Sequence, residues 1–358
     1  MKTLSVCIIV KNEEETLGRL LDSVIAFADE IIVVDTGSTD KTKEIALNYT
    51  QKVYDFEWCD DFSKARNYSF EKATADYIIW LDADDFVPEY SQKLLTLLKD
   101  DLIDEDVVML PYEIAFDING KPNFKYFRER IIKNNAGFVW QEPVHEVIVP
   151  RGKIIYKEIP IQHKKIRANT PFRNLNIYQK LISSKTQLSA RQEFYYANEL
   201  FYNDLYDEAI TIYNKFLSNE NGMVENKIQA CINLSKIYAV KNQLDNAIKH
   251  LTNSFIYGKP SAEALCQLGN LFLSKKEYLS AIYWYSLAIQ PLPSNSKQFI
   301  EVDAYKYIPY VQIGLCYYYL GDVDNAILFN SLAMKEKPND TITINNDRFY
   351  NKIKKGAR

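Results

Sequence analysis

The first 160 or so residues alternate between short apolar runs and stretches in which apolar residues recur every three or four positions. The apolar runs are rich in β-branched and aromatic residues, which predicts short buried strands, and the other stretches have the spacing of amphipathic helices. Such an alternation is typical of an α/β domain whose mostly parallel sheet is covered on both faces. Strands are predicted at residues 4–10, 30–35, 52–56 and 76–81, and helices at 13–28, from Thr39 onward, at 62–73 and at 90–98.

The pattern changes twice along the rest of the chain. The pattern in residues 107–161 predicts strands and turns, and Asp117-Ile118-Asn119-Gly120 predicts a hairpin turn. After residue 170 only helical periodicity remains, and it repeats. Pairs of small residues stand twelve positions apart in four places: Ala197 and Ala209, Ser235 and Ala247, Gly269 and Ala281, and Gly314 and Ala326.

The repeated pairs are similar to those of tetratricopeptide repeats, in which two helices cross where small residues allow close approach. We therefore predict four such repeats, with an irregular helical bundle as the alternative. The predicted domain boundaries are residues 1–168 for the α/β domain, 169–186 for a linker helix, 187–340 for the repeats and 341–358 for a C-terminal tail. The basic residues from Lys352 to Arg358 are expected to be disordered.

Composition narrows the class of protein without naming a function. A length of 358 residues suggests two domains, and a net charge of −4 gives no general attraction to nucleic acid. The five cysteines include no C-x-x-C pair, which argues against a zinc site or a disulfide framework and favours the cytoplasm. No signal-peptide pattern and no apolar run of membrane-spanning length is present, so no integral membrane segment is expected.

The residues with the clearest chemical meaning stand at the ends of two predicted strands. Asp82-Ala83-Asp84-Asp85 follows the fourth strand, and the carboxyl ends of strands are where ligands bind in an open α/β sheet. Two aspartates in an Asp-x-Asp pattern can bind a hard divalent cation, which can neutralise a diphosphate. The alternative for this pattern alone is a solvated turn or a helix cap.

The second strand ends in Asp35, followed by Thr36-Gly37-Ser38. Asp35 can accept hydrogen bonds from a base or a ribose, and Gly37 permits a tight turn. The residues from Ser38 to Asp40 are expected to cap the next helix, whose N-terminus favours anions. The sequence contains neither G-x-G-x-x-G nor G-x-x-x-x-G-K-[ST], which argues against a dinucleotide site and a P-loop.

Taken in order, several blocks resemble those of inverting family 2 glycosyltransferases with the GT-A fold. They are Ile-Val-Lys-Asn-Glu-Glu, Val-Asp-Thr-Gly-Ser-Thr-Asp-Lys-Thr, Asp-Phe-Ser-Lys-Ala-Arg-Asn, Leu-Asp-Ala-Asp-Asp, Arg-Ile-Ile-Lys and Trp-x-x-x-Val-His-Glu. The resemblance covers the first half of the chain. With helical repeats behind it, the chain looks most like sublancin-type peptide S-glycosyltransferases. The implied architecture is an α/β GT-A domain, Rossmann-like, followed by an all-α tetratricopeptide-repeat domain.

The resemblance implies a site for a UDP-sugar and a metal ion, Mg²⁺ or Mn²⁺. Asp84 would bind the cation together with Asp82, which would lie nearer the ribose or sugar, and His163 would complete the shell unless it is only a surface histidine. Lys64 and Arg66 would face the nucleotide-sugar, with a solvated helix face as their alternative. The residues implied in nucleotide-sugar binding are Val10, Asn12, Glu13, Asp35, Ser38, Lys64, Arg66, Asp82, Ala83, Arg130 and Trp140.

Inversion at the anomeric carbon requires a base that deprotonates the acceptor as it attacks. Glu146 is the first candidate from the resemblance and His145 the second, whereas Glu142 departs from the family pattern. Trp140 would stack on a sugar or line the acceptor pocket, unless it and Val144 belong to the core. A cysteine acceptor would depend less on a base, because thiols ionise more readily than hydroxyls.

The resulting hypothesis is a cytoplasmic, metal-dependent, inverting glycosyltransferase that moves a hexose or N-acetylhexosamine from a UDP-sugar to a Cys, Ser or Thr side chain of a peptide or protein. The repeats would bind the acceptor or form a homodimer. One alternative acceptor is a lipid-linked or cell-surface saccharide, because the Val-His-Glu block also resembles lipopolysaccharide-core glucosyltransferases. A more remote alternative is a repeat scaffold with an inactive enzyme domain.

Overall fold

The computed structural model describes residues 1–117, 120–166, 170–293 and 300–356. The described chain forms two compact units: one is built from Met1–Ala115 and Phe124–Ser184, and the other from residues 116–123 and from Lys185 onward. Residues 118 and 119 of the predicted hairpin turn, and the predicted domain boundary at 168–169, lie outside the described residues.

The first unit contains strands and helices in the alternation that the sequence predicts. Its strands are β1 (Leu4–Val10), β2 (Glu30–Asp35), β3 (Val53–Asp55), β4 (Tyr77–Asp82), β5 (Asp85–Phe86), β6 (Val107–Phe116), β7 (Pro122–Lys133), β8 (Ile154–Tyr156) and β9 (Ile161–His163). Its helices are α1 (Leu17–Val24), α2 (Thr42–Leu47), α3 (Phe62–Glu71), α4 (Glu89–Asp101) and α5 (Arg173–Ser183). The predicted α/β class is therefore present.

The sheet has the strand order β3-β2-β1-β4-β7-β6-β9-β5, and β8 pairs with β6. Strands β3, β2, β1 and β4 are parallel to one another, whereas β4 and β7 are antiparallel, so the sheet is mixed but mostly parallel. The register sets Val10 opposite Asp35 and Ile9 opposite Asp82. The residues that end these three strands consequently meet at one edge of the sheet.

Successive residues of β1 point to opposite faces of the sheet, as the pleat requires. Leu4, Val6 and Ile8 are buried in one apolar cluster that includes Leu17 and Leu20 of α1. Cys7 belongs to a second cluster in which Tyr68 and Phe70 of α3 cover the sheet. Both faces are therefore covered, which explains why these strands read as continuous apolar runs.

Two helices begin later than predicted, because the preceding residues make specific loop hydrogen bonds instead. Helix α1 begins at Leu17 rather than residue 13, since Asn12 has a left-handed backbone and residues 13–16 form a turn. Helix α2 begins at Thr42 rather than Thr39. Of the predicted capping residues Ser38 to Asp40, Asp40 bonds the first turn, with Oδ1 accepting from the Thr42 amide at 3.0 Å.

The helix predicted between the two domains belongs to the first unit. Helix α5 is joined to the loop before α3 by Lys180, whose Nζ donates to Asp60 Oδ2 at 2.5 Å. The guanidinium of Arg173 lies 5.0 Å from the ring of Phe62, the first residue of α3. α5 therefore packs beside the element that carries Arg66.

From Lys185 onward, the regular elements of the described chain are helices apart from the short strand β10 (Ile300–Glu301). Within these described residues, the helices up to Glu336 form four successive hairpins. They are α6 (Ala190–Tyr202) with α7 (Tyr206–Leu217), α8 (Val224–Val240) with α9 (Leu244–Asn253), α10 (Ala262–Ser274) with α11 (Tyr278–Ala288), and α12 (Tyr307–Tyr319) with α13 (Val323–Glu336). All eight small residues of the twelve-residue pairs are buried, as close helix crossing requires.

Two of the hairpins contain hydrogen bonds between a tyrosine hydroxyl and an asparagine side chain. The Tyr213 hydroxyl of α7 donates to Asn198 Oδ1 of α6 at 2.6 Å, and Asn233 Nδ2 of α8 donates to the Tyr213 oxygen at 2.8 Å. The third hairpin repeats this pairing, with the Tyr285 hydroxyl donating to Asn270 Oδ1 at 2.6 Å. These tyrosines are therefore core residues of the repeats.

The expected C-terminal tail is instead the helix α14 (Thr341–Gly356), so the prediction of disorder from Lys352 is wrong up to residue 356. Tyr350 of this helix is buried, and its ring lies 5.7 Å from that of Tyr318 in α12. The backbone oxygen of Thr343 accepts a hydrogen bond from Asn330 Nδ2 at 2.9 Å. The helix covers the apolar side of the last hairpin, as a capping helix does in repeat proteins.

No helix in the described ranges is both long enough and apolar enough to cross a lipid bilayer.

The small residue at the crossing of α10 and α11 gives a test of the repeat geometry. A Cβ at Gly269 would lie 2.5 Å from the Tyr285 ring. Alanine normally stabilises a helix by about 1 kcal/mol relative to glycine, but overpacking costs about 1–3 kcal/mol. We expect Gly269→Ala to lower the free energy of unfolding, measured by chemical denaturation.

Gly18→Ala is the matched control, because it also introduces alanine into a helix. Its Cβ would meet nothing closer than Ile45 Cγ2 at 3.8 Å, an ordinary contact. This variant is expected to keep or slightly raise stability. An equal response of the two variants would contradict the close crossing at Gly269.

Candidate active site

Three aspartates at the end of β4 and just after it have different partners at the carboxyl edge of the sheet. Asp82 ends β4, Asp84 lies in the following turn, and Asp85 begins β5. β5 pairs antiparallel with β9, which sets Asp85 opposite His163. The pairing brings His163 to the acidic loop although 78 positions of sequence separate it from Asp85.

Asp84, Asp85 and His163 form a cluster whose candidate ligand atoms all lie within 4.8 Å of one another. His163 Nδ1 is 3.3 Å from Asp84 Oδ1 and 3.6 Å from Asp85 Oδ1. Two carboxylates and an imidazole suit Mn²⁺, and the carboxylates also suit Mg²⁺. The donor set therefore fits a divalent cation.

The cluster differs from the predicted metal site, which joined Asp82 to Asp84 and His163. Asp82 is bound by Arg66 instead, and its place in the cluster is taken by Asp85. Burial alone would raise the pKa of Asp82, but the guanidinium groups of Arg66 and Arg130 hold that pKa well below its ordinary value. Asp82 is therefore a carboxylate whose charge is already paired with the guanidinium of Arg66.

Asp85 is completely buried and is held by several donors. Its Oδ1 accepts from the Tyr112 hydroxyl at 2.6 Å, and its Oδ2 accepts from the Asp82 amide at 3.0 Å. Arg130 Nη1 lies 3.2 Å from Asp85 Oδ2. These contacts fix the orientation of Asp85 and offset its charge, so Asp84 is the more accessible carboxylate of the cluster.

Burial alone would lower the pKa of His163, but hydrogen bonds to Asp84 and Asp85 raise it to about 9. Nδ1, the atom that faces both carboxylates, is also the atom that could bind a metal ion. Arg19 joins the two segments that carry the cluster: its Nη2 donates to the backbone oxygens of Asp84 at 3.2 Å and of Lys164 at 2.7 Å. Neither Arg19 nor Asp85 was assigned to the site from the sequence.

Arg66 connects the end of β4 to the loop that carries the predicted base. Its Nη2 donates to Asp82 Oδ1 and its Nε donates to Glu146 Oε1, both at 2.6 Å. The guanidinium lies over the rings of Trp80 and Trp140, at 5.1 and 4.8 Å. The structure thus brings Asp82 and Glu146, both partly exposed, together on the buried guanidinium of Arg66 as one ion-pair network.

The predicted base lies on a short closed loop. Gln141 and Val147 exchange two backbone hydrogen bonds, at 2.9 and 3.1 Å, and close the loop between them. Glu142 and His145 have left-handed backbone conformations, with φ of 70° and 54°. His145, the second candidate base, is half-buried beside Glu146 on this loop.

The loop after β2 is also built by hydrogen bonds to strand-end residues. Asp35 Oδ1 accepts from the amides of Gly37 and Ser38, both at 2.7 Å, and Gly37 has a φ of 100° that favours glycine. Ser38 Oγ accepts from the Asn12 amide at 2.9 Å, and Asn12 Oδ1 accepts from the Thr39 amide at 2.7 Å. The loops after β1 and β2 are therefore locked to each other.

Glu13 uses its side chain within its own loop, where Oε2 accepts from the Thr16 hydroxyl at 2.7 Å. Val10 and Ala83 are buried at their strand ends. Their side chains are apolar, so only their backbone groups can form hydrogen bonds.

The remaining predicted ligand residues lie outside the acidic cluster. Lys64 is exposed on α3 and lies 3.6 Å from Asp61, so it faces solvent. Trp140 is buried in a core cluster with Trp80, where the rings meet edge to face at 4.8 Å. Arg130 is fully buried between the rings of Trp80 and Tyr112. Trp140 and Arg130 thus lie beneath the charged network rather than on its surface.

Comparison with known proteins agrees with this geometry. Residues 5–159 match the family described as glycosyl transferase family 2. A TPR repeat-containing protein of Synechococcus elongatus is 36% identical over 149 residues, which are 41% of this chain and 36% of that protein.

The glycosyltransferase SunS of Bacillus subtilis, derived from the SPbeta prophage, is 27% identical over 241 residues, or 61% of this chain and 54% of SunS. The lipopolysaccharide core biosynthesis glycosyltransferase LpsC of Rhizobium meliloti is 27% identical over 159 residues, or 42% of this chain and 58% of LpsC. The chain thus spans less than two thirds of each of these curated relatives.

The family match covers the strands and loops that carry Asp35, Asp82, Asp84 and Glu146, and the helical hairpins begin after it. Residues 5–159 of this chain therefore form a domain of glycosyl transferase family 2, and a region of tetratricopeptide-type helical hairpins follows that domain.

Proposed function

We propose that this protein is a metal-dependent, inverting glycosyltransferase that transfers a hexose or N-acetylhexosamine from a UDP-sugar to a side chain of a peptide or protein. The observation that carries the proposal is the cluster of Asp84, Asp85 and His163 beside the Arg66 network, in a domain of glycosyl transferase family 2. A cation site and a positioned carboxylate are the two groups that such a transfer requires.

The loops after β1 and β2 would bind the nucleoside. Asp35 Oδ1 accepts two backbone amides, which leaves Oδ2 as an acceptor for the uracil or the ribose. Asn12 and Ser38 hold the two loops together, so the binding surface is formed before the nucleotide arrives. Pre-formed hydrogen-bonding groups lower the entropic cost of binding.

Asp84 and His163 would hold Mg²⁺ or Mn²⁺, with Asp85 fixed behind them by Tyr112 and Arg130. When bound, the cation would neutralise the diphosphate and so stabilise UDP as a leaving group. Asp82, paired with Arg66, would contribute a hydrogen-bond acceptor near the sugar instead of a metal bond.

Glu146 would act as the base that removes the proton from the acceptor. One carboxylate oxygen, Oε1, is held by Arg66, so the other can accept the proton from an incoming hydroxyl or thiol. His145 is the alternative base on the same loop. A thiol acceptor would reduce the dependence on either residue, because thiols ionise near neutral pH more readily than hydroxyls.

The helical hairpins support a peptide or protein as acceptor, since arrays of this type present extended concave surfaces. A lipid-linked or cell-surface saccharide is the second candidate, which the similarity to LpsC favours. We further propose a cytoplasmic location, which the five free cysteines support. We also propose that the helical region can form a homodimer.

The donor and the metal can be tested together by measuring UDP release from a panel of UDP-sugars without an acceptor. We expect slow hydrolysis of one UDP-sugar in Mn²⁺ or Mg²⁺, because water can replace the acceptor, and its loss in EDTA. The same measurement with peptide and glycolipid pools added identifies the acceptor. Labelling of glycolipid alone would reject the peptide proposal, and hydrolysis that persists in EDTA would reject metal dependence.

Paired variants test which carboxylates bind the cation. Asp84→Asn should weaken Mn²⁺ binding more than about 10-fold, since it removes a charged ligand. Asp82→Asn should cause no comparable loss, because Asp82 is occupied by Arg66. Mn²⁺ affinity is measured by electron paramagnetic resonance titration. Equal losses in the two variants would return Asp82 to the metal shell.

The role of Glu146 is tested by Glu146→Gln, which keeps the size of the side chain and removes the basic oxygen. We expect kcat to fall by about 10²–10⁴-fold, as for loss of a general base, with UDP affinity retained. Glu142→Gln, on the same loop, is the control and should retain activity. An unchanged kcat in Glu146→Gln would contradict the assignment and favour His145.

A further inference from the structure

We propose that Asn67 is a positioning residue for the transfer reaction: it fixes the loop that holds Glu146 against the reacting atoms. The proposal rests on the role of Glu146 proposed above. Asn67 follows Arg66 on α3, and it touches Trp140 at the start of the loop.

The Asn67 carboxamide bonds both backbone polar groups of Trp140. Its Nδ2 donates to the Trp140 oxygen at 3.0 Å, and its Oδ1 accepts from the Trp140 amide at 2.8 Å. In a β-sheet, a neighbouring strand would bond the N–H and C=O groups of a residue in a similar way, but here a side chain supplies both hydrogen bonds. Without Asn67, two backbone groups in a largely buried region would lose their partners, which costs free energy.

Helix α3 holds the loop at three points. The Phe62 amide donates to the Pro143 oxygen at 2.8 Å, Arg66 binds the Glu146 carboxylate, and Asn67 binds the backbone of Trp140. Arg66 reaches a side chain and Phe62 reaches the backbone inside the loop, so Asn67 supplies the contact that fixes the backbone at Trp140, where the loop begins. The helix itself is anchored by its N-cap, Asp61, which accepts from the Lys64 amide.

The loop needs this support because of its backbone conformation. Glu142 and His145 both lie in the left-handed region, which is unfavourable for residues other than glycine. Such a loop persists only where its surroundings determine it. Releasing Trp140 would also disturb the ring that lies 4.8 Å from the Arg66 guanidinium.

The hydrogen bonds of the Asn67 side chain go to the loop rather than to Asp35, Asp84 or His163, so its loss should affect turnover more than donor binding. A displacement of a catalytic group by about 1 Å can cost about 10²-fold in rate. We expect Asn67→Ala to lower kcat by about 10²-fold and to leave UDP affinity and the KM for the UDP-sugar almost unchanged.

Asn134→Ala is the matched control. Asn134 Nδ2 donates to the backbone oxygens of Ala73 and Ala75, at 3.1 and 2.9 Å, beyond the other end of β4. Asn134 Oδ1 also accepts from the Asn135 amide at 2.8 Å, so this variant removes three side-chain-to-backbone hydrogen bonds from the same unit, against two for Asn67→Ala. Asn67→Asp is the second variant, because it keeps the acceptor for the Trp140 amide if the alanine variant fails to fold.

The experiment combines steady-state kinetics of the full chain with amide hydrogen exchange of the segment 138–147. Asn67→Ala should raise exchange in this segment and lower kcat, Asn67→Asp should do so to a smaller extent, and Asn134→Ala should do neither. Equal kcat in the two alanine variants, or unchanged exchange in Asn67→Ala, would overturn the proposal. If the unmodified protein transfers no sugar, the proposed function fails, whereas the exchange result still decides whether Asn67 fixes the loop.

Discussion

One buried guanidinium organises the charged part of this domain. Arg66 is 8% exposed and donates to the carboxylates of Asp82 and Glu146, each at 2.6 Å. A charge that is removed from water to this extent is tolerated only when it is paired and hydrogen-bonded. The end of β4, helix α3 and the loop after Trp140 are therefore held in one arrangement, because displacement of any of them would leave a buried charge without its partner.

The strands of the sheet and the residues at its carboxyl edge could be predicted from the sequence, because the spacing of apolar residues follows from which positions are buried. Strands β1 and β2 have the predicted bounds, Leu4–Val10 and Glu30–Asp35. Parallel strands end at the same edge, so the proximity of Asp35 to the end of β4 followed from topology alone. The repeats could be predicted for a similar reason, since a helix crossing that demands a small residue leaves a fixed spacing in the chain.

The partners of the charged residues could not be predicted, because they depend on contacts between distant segments. Arg66 and Glu146 are 80 positions apart, and nothing in the local sequence distinguishes Asp85 from Asp82 or Asp84. The antiparallel pairing of β5 with β9 decides that Asp85 faces His163. Helix α14 was not predicted for another reason. Its basic residues indicated a solvated, disordered tail, whereas the burial of Tyr350 supplies the tertiary packing that stabilises a helix of this composition.

The depth of Arg66 also determines how the site responds to ionic strength. Mobile ions screen charges that they can approach, with a Debye length of about 8 Å at physiological salt. Exposed pairs such as Lys43 with Asp55 are open to that screening, whereas the Arg66 guanidinium is buried and packs on the rings of Trp80 and Trp140. Added salt therefore weakens the pairs on the surface of the domain while the charges around Glu146 keep their arrangement.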